Sequence, residues 1–374
     1  MPDTAYTLKT LACLAPWREL FRRAALLSLL AAIALLAGCA TQRSIEIPYN
    51  DQTHRDANYE WSPHDQGSEW WYLTGQLADR SGKSYFYQIT IFRSFLVRQR
   101  MYLGATYALH LSFTDPSTGQ HLFSEEVRLP SARVYADGHC IVFEDSRVCR
   151  DGQGFKIAAK SKNLRFNLVG EPTKAVVWHG RDGRIVMGHP RRPAERSYYY
   201  SYTNIDTAGT LAFKSPNNDW VTIEGAGKSW FDRQWGLFTE TGWEWFSLRF
   251  VDGEEIMLYA FPKTGHQEGT YIDRAGRTTI FDRYHYRVTR VGRFSRLDRF
   301  GQLGQLARFD DKKFGLGWTL SVPVKDRRYR IVPLVDRQFN PSKLMPYWEG
   351  LCKVLDSSGA LVGYAVVETP GSAY

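Results

Sequence analysis

The segment Ser229-Trp230-Phe231-Asp232-Arg233-Gln234-Trp235-Gly236 sets one carboxylate among three large aromatic residues. Burial among apolar groups disfavours a carboxylate anion, so an aspartate placed this way can persist as an acid near neutral pH. Such an acid can donate a proton, and aromatic ring faces can stabilise a cation that forms beside them. Asp232 is therefore the candidate general acid. The competing reading makes it a scaffold residue, held as a fixed carboxylate by Arg233 or a backbone amide. Glu69 precedes Trp70 and Trp71 and is a second candidate, either at a ligand site or in a salt bridge holding a strand start. His110 alternates with Leu109 and Leu111, so on a strand it faces away from them. With the leucines in a core, it faces a cavity or is a satisfied polar residue. Tyr199 and Tyr200 face opposite sides for the same reason, and Tyr200 is taken as the pocket residue. Trp71, Trp230, Trp235, Trp243 and Trp245 complete the candidate ligand-binding set.

Other chemistries find little support. No Gly-x-Ser-x-Gly elbow offers a nucleophilic serine. No glycine-rich loop opens a helix to cradle phosphate. The histidines are scattered and no Cys/His grouping has zinc spacing, so neither a metal nor a cofactor is expected. Cys140 and Cys149 flank an eight-residue stretch that could close as a hairpin disulfide in an oxidising compartment. Cys352 is then left unpaired and buried.

The compartment is read from the beginning of the chain. Arg18, Arg22 and Arg23 precede an apolar run from Ala24 to Ala37, which ends in Leu36-Ala37-Gly38-Cys39. A basic flank, a short apolar core and small residues before a cysteine describe a lipoprotein signal peptide. The run is shorter than the roughly 20 residues of a membrane-spanning helix. Residues 1–38 are thus read as a leader and 39–58 as a linker behind a lipidated Cys39. Ala40 in place of an aspartate resembles outer-membrane lipoproteins, which places the chain in the cell envelope, on the periplasmic face of that membrane. Loss of the leader's four basic and two acidic residues lowers the formal charge from +9 to +7. An envelope protein would rarely meet nucleic acid, so anionic lipid is the expected counter-charge. Arg287, Arg290, Arg293, Arg296 and Arg299 recur every third residue and read as a solvated rim or a membrane-facing patch.

The elements that must hold these residues are short strands. Hydrophobic residues make up 43% of the chain, enough for a globular core. Strands are expected at Trp71–Leu77, Tyr85–Phe92, Tyr107–Thr114, Phe155–Ala159 and Leu164–Val169. The second half offers Trp243–Phe250, Ile256–Phe261, Trp318–Val322, Arg330–Leu334 and Tyr364–Glu368. Helical periodicity is rare, so the chain is all-β, and its many strands must close or stack. Glu69-Trp70-Trp71 and Glu244-Trp245-Phe246 open matching hairpins, which suggests two related barrels. Ser215-Pro216-Asn217-Asn218 reads as the turn between them, giving domains 59–216 and 217–374.

Several ordered motifs resemble the carotenoid 1,2-hydratase (hydroxyneurosporene synthase) and AttH-like family. They are Ser68-Glu69-Trp70-Trp71-Tyr72-Leu73-Thr74-Gly75, His110 in Ala108-Leu109-His110-Leu111, Tyr199-Tyr200-Ser201, the Asp232 segment, Gly242-Trp243-Glu244-Trp245-Phe246 and Tyr347-Trp348-Glu349-Gly350. The sequence departs from that pattern at Asn204, where an arginine is expected, and at Arg233 and Gln234, where some members carry histidine and glutamate. The resemblance implies two lipocalin-like antiparallel β-barrel domains, with Trp348 and Glu349 closing the second. It leaves three functions open. The first is binding of a hydrophobic polyene, isoprenoid or acyl ligand within the barrels. The second is an enzyme that hydrates or isomerises a double bond with Asp232 as acid. The third is an interaction protein of an envelope transport system. A carboxyl group projecting into a cavity favours the second, and barrels filled by side chains favour the third.

Overall fold

The computed structural model describes residues 57, 59–64, 67–98, 101–152, 154–187, 196–236, 238, 242–291 and 317–370. The expected leader, the lipid-bearing Cys39 and Arg293, Arg296 and Arg299 lie outside these residues.

The first sheet contains β1 (Ser68–Asp79), β2 (Ser84–Arg98), β3 (Met101–Asp115), β4 (Gln120–Arg128), β5 (Val134–Ala136), β6 (Cys140–Phe143), β7 (Ser146–Asp151), β8 (Gly154–Lys160), β9 (Leu164–Pro172), β10 (Val177–Trp178), β11 (Arg184–Val186), β12 (Arg196–Lys214) and β13 (Trp220–Gly236). Its hydrogen-bonded order is β4-β3-β2-β1-β13-β12-β9-β8-β7-β6-β5, a nearly closed barrel. The second sheet contains β14 (Glu244–Phe250), β15 (Glu255–Phe261), β16 (His266–Ile272), β17 (Thr278–Asp282), β18 (Arg287–Val291), β19 (Gly317–Val322), β20 (Arg327–Pro333), β21 (Phe339–Asn340), β22 (Tyr347–Leu355) and β23 (Leu361–Pro370). It runs β17-β16-β15-β14-β23-β22-β20-β19-β18 as a half-barrel. The two lipocalin-like antiparallel barrels of the sequence reading are thus present, and no α-helix occurs among the described residues.

Side-chain alternation explains where each strand sits. On β9, Leu164, Phe166 and Leu168 are buried while Arg165, Asn167 and Val169 face solvent. That is a strand with one wet face. On β1 both faces are buried: Trp71, Leu73 and Leu77 fill the barrel, while Tyr72 packs against the second sheet. Gly75 sits where the barrel is crowded, because a Cβ there would lie 2.5 Å from both Tyr87 Oη and Ser229 Oγ.

The structure corrects two expectations. Residues 215–219 form the tight turn joining β12 to β13, whose registers run together from Lys214↔Trp220 to Ser197↔Gly236. A boundary at 216/217 therefore cuts a hairpin, and the chain passes between sheets after Gly236 and before Glu244. Arg290 is not part of a solvated rim. It turns inward to Glu244 and Thr369, whereas Arg287 on the same strand is exposed. Cys140 and Cys149 are directly opposed on β6 and β7 and are joined as a disulfide, and Cys352 is free and buried.

One buried ion pair ties the chain entry to the first barrel. Arg233 is fully buried and its Nη2 lies 2.5 Å from Glu69 Oε2. The same guanidinium donates to the carbonyls of Glu60 and Ser62, pinning residues 59–64 across the barrel. Trp71 lies under it at 3.9 Å, and Trp235 flanks it while stacking on His64. Arg93 and His64 complete the ring around Glu69. Burial alone would raise the Glu69 carboxyl, but Arg233 and His64 overcome it and hold the group at about 2. Glu69→Gln leaves Arg233 buried without its counter-charge and should cost about 3–5 kcal/mol in urea unfolding at neutral pH. The pair stabilises the fold fully above the ordinary value of 4.5 and is lost as pH falls through about 2. The wild type should show that acid-side loss and the variant should not.

Candidate functional site

The outer face of the first barrel and the face of the second sheet turned away from that sheet's own core bury a third core. Tyr72, Phe86, Ile185, Met187, Tyr199 and Trp230 meet Trp243, Trp245, Met257, Tyr259, Phe261, Leu351 and Val366. Asp232 belongs to this layer. On β13, Trp230, Asp232 and Gln234 point to the second sheet, while Phe231, Arg233 and Trp235 point into the barrel. Strand alternation thus separates Asp232 from Arg233 and removes the scaffold reading in which Arg233 holds it.

Three donors converge on the Asp232 carboxyl. Trp230 Nε1 donates to Oδ1 at 2.5 Å and Ser201 Oγ donates to the same atom. Tyr199 Oη donates to Oδ2 at 2.7 Å and itself receives Trp245 Nε1 at 3.1 Å. Ser201 also meets His179 Nε2 at 2.7 Å, and His179 Nδ1 meets Thr270 on the second sheet at 2.9 Å. Burial lowers His179 to about 3, so it is a neutral bridge. Burial raises Asp232 to about 7 against the three donors, and the neighbouring Glu368 adds to the rise. Oδ2 accepts one bond and so retains room for the proton.

Two further carboxyls share the layer. Glu349 on β22 and Glu368 on β23 are directly opposed in register and so lie side by side on one face. Trp243 Nε1 donates to Glu368 Oε1 at 3.0 Å, and Tyr72 Oη donates to Glu349 Oε1 at 2.5 Å. Burial raises Glu368 to about 7. Burial and the adjacent Glu368 push Glu349 well above the ordinary carboxyl range. Tyr72, Tyr199 and Tyr259 are pushed upward by burial and these acids, and remain donors.

These groups border a cleft between the sheets, lined by Trp70, Tyr72, Phe92, Asp232, Trp243, Trp245, Tyr259, Met345 and Glu368. Its free volume is about 20 Å³, and one water needs roughly 10–15 Å³. A larger guest therefore enters only by displacing side chains at the rim, where Trp70, Phe92 and Met345 are half-buried. Among the described residues, large side chains occupy both barrel interiors. Trp61, Trp71, Phe155, Phe166, Tyr200, Phe231 and Trp235 fill the first, and Phe246, Trp318 and Trp348 pack the second.

The candidate residues therefore divide. Asp232, Trp230, Trp243 and Trp245 come together at the cleft. Glu69, Trp71, Tyr200 and Trp235 face the other side of the first sheet. Tyr200 donates to the Ala57 carbonyl, and its neighbour Tyr199 holds Asp232. His110 faces the inter-sheet layer as its alternation with the leucines implied, but it lies outside the cleft, bonded to Tyr347 and Glu125. Glu349 does not close the second barrel, since it points out of it toward Tyr72. Glu349, Glu368 and Tyr259 were not nominated from the sequence. The only signal for them is strand parity, which places Glu349 with Tyr347 and Glu368 with Val366. Among the described residues no group of His, Cys, Asp and Glu could hold a metal ion.

A model of the AttH-like family matches residues 40–372. The chain belongs to the AttH-like family. Two solved structures share the fold of this AttH-like chain. An AttH protein from Nitrosomonas europaea is 20% identical, with 83% of this chain and 95% of that one covered and a TM-score of 0.67. Kievitone hydratase from Nectria haematococca is 14% identical, covering 88% and 95%, with a TM-score of 0.61. No curated protein matches the sequence.

Asp232 holds a proton up to about pH 7 when folded, against an ordinary value of 3.8. Folding of the AttH-like chain thus takes up a proton between these limits, and stability falls as pH rises through them. The difference corresponds to roughly 4 kcal/mol. Asp232→Asn should make the decline between pH 4 and 8 shallower by an amount of that order in urea unfolding. An unchanged slope would assign it to other groups.

Proposed function

We propose that this AttH-like chain is an acid-catalysed hydratase or double-bond isomerase of a hydrophobic molecule, working in the cleft between its sheets. The observation that carries the reading is Asp232: a buried carboxyl with no cationic partner among the described residues, oriented by Tyr199, Ser201 and Trp230 and bordering a cleft that admits water. Its raised proton affinity keeps it an acid to about pH 7. Proton transfer from Oδ2 to one alkene carbon would leave a cation on the other. The ring faces of Trp230 and Trp245 and the neighbouring tyrosines are suited to stabilise it. Addition of water to that carbon, with loss of one water proton, gives an alcohol. Loss of a neighbouring C–H proton gives the shifted alkene instead.

The apolar rim formed by Trp70, Phe92 and Met345 supports an isoprenoid, polyene or acyl substrate. Kievitone hydratase, which shares the fold, agrees in reaction class. Packed barrel interiors weigh against storage of a ligand inside them. The proposal includes an envelope location, with a lipid on Cys39 holding the protein beside membrane-soluble substrates.

The test is incubation with kievitone, lycopene or geranylgeraniol in ¹⁸O-labelled water, read by mass spectrometry for one labelled oxygen or a shifted double bond. Asp232→Asn should lower kcat by about 10²–10⁴-fold. The wild-type rate should fall as pH rises through about 7, because the acid form is then lost. Turnover by Asp232→Asn at the wild-type rate would remove Asp232 from the mechanism.

A further inference from the structure

We propose that Glu368 is the base of this cleft: its carboxylate faces the cation raised by Asp232 and takes the proton from the water that attacks it. This rests on the preceding reading of Asp232 and adds the second half of the reaction.

Position is the first argument. Asp232 comes from β13 of the first sheet and Glu368 from β23 of the second, and both line the same cleft. The two groups thus approach a guest from different sheets, as an acid and a base acting on one double bond require. The second argument is the division of charge in the Glu349–Glu368 pair. Adjacent carboxyls in a dry layer cannot both ionise. Glu349 is fully buried, whereas Glu368 is only half-buried where it meets the cleft. The member with access to water carries the charge, and Glu349 keeps its proton. The third argument is orientation. Trp243 occupies Glu368 Oε1 alone, so the other oxygen is free of that donor and can receive a proton. The protons balance: Asp232 gives one to carbon, Glu368 receives one from water, and the two groups then exchange their protons through solvent.

A cationic mimic tests the charge independently of turnover. N,N-dimethyldodecylamine, protonated near neutral pH, should bind the wild-type full chain in calorimetry more tightly than the neutral N,N-dimethyldodecanamide. Glu368→Gln should weaken the amine by at least about tenfold and leave the amide unchanged. Glu349→Gln should hold amine binding within about twofold. Equal binding of amine and amide by the wild type, unchanged amine binding in Glu368→Gln, or a loss confined to Glu349→Gln would each overturn the proposal. Labelled water adds a second readout on any substrate that turns over. Glu368→Gln should stop ¹⁸O entry while deuterium from D₂O still reaches carbon through Asp232. Failure of Asp232 as acid would instead leave deuterium entry undiminished in Asp232→Asn, so the two failures are distinguishable.

Discussion

The structure depends on the exclusion of water between two sheets that bury polar as well as apolar side chains. A sheet face covered by another sheet is ordinarily apolar. Here Asp232, Glu349 and Glu368 share that layer with Tyr72, Tyr199, Tyr259 and three indoles. Burying a charge there is costly, and the carboxyls respond by holding protons. Every distinctive property of the cleft follows: the acids are neutral or share charge, the tyrosines remain donors, and the indole N–H groups have acceptors.

The two faces of β13 show how one strand serves opposite ends. Asp232 looks outward and meets no cation among the described residues. Arg233, next in sequence, looks inward and is neutralised by Glu69 beneath Trp71 and Trp235. The inward pair fixes residues 59–64 and the register of β1 against β13. That rigid face lets the outward face carry a costly acid. A one-residue slip of β13 would exchange the two faces, placing the charge pair between the sheets and the lone acid inside the barrel.

Much of this was legible in the sequence. Alternation and turn residues located strands such as Tyr85–Phe92 and Ile256–Phe261, and the aromatic frame of Asp232 marked the acid. Alternation also set His110 against its leucines. The division of function between faces was not legible, because parity says that Tyr199 and Tyr200 differ in direction without saying which side is occupied. Trp71 and Trp235 looked like pocket walls for the same reason. The β12–β13 hairpin resembled a linker because Pro216-Asn217-Asn218 suits either role. Glu349 and Glu368 belong to the last two strands, and only the packing of one sheet on the other brings them to Asp232.

The placement of the cleft between two sheets, rather than inside one, ties acidity to shape. If the sheets separate to admit a guest, water reaches Asp232 and its hold on the proton weakens toward that of an ordinary aspartate. When they close, dehydration restores the acid. Opening and proton affinity are then a single mechanical variable, and Asp232 holds its proton best while bulk water is shut out.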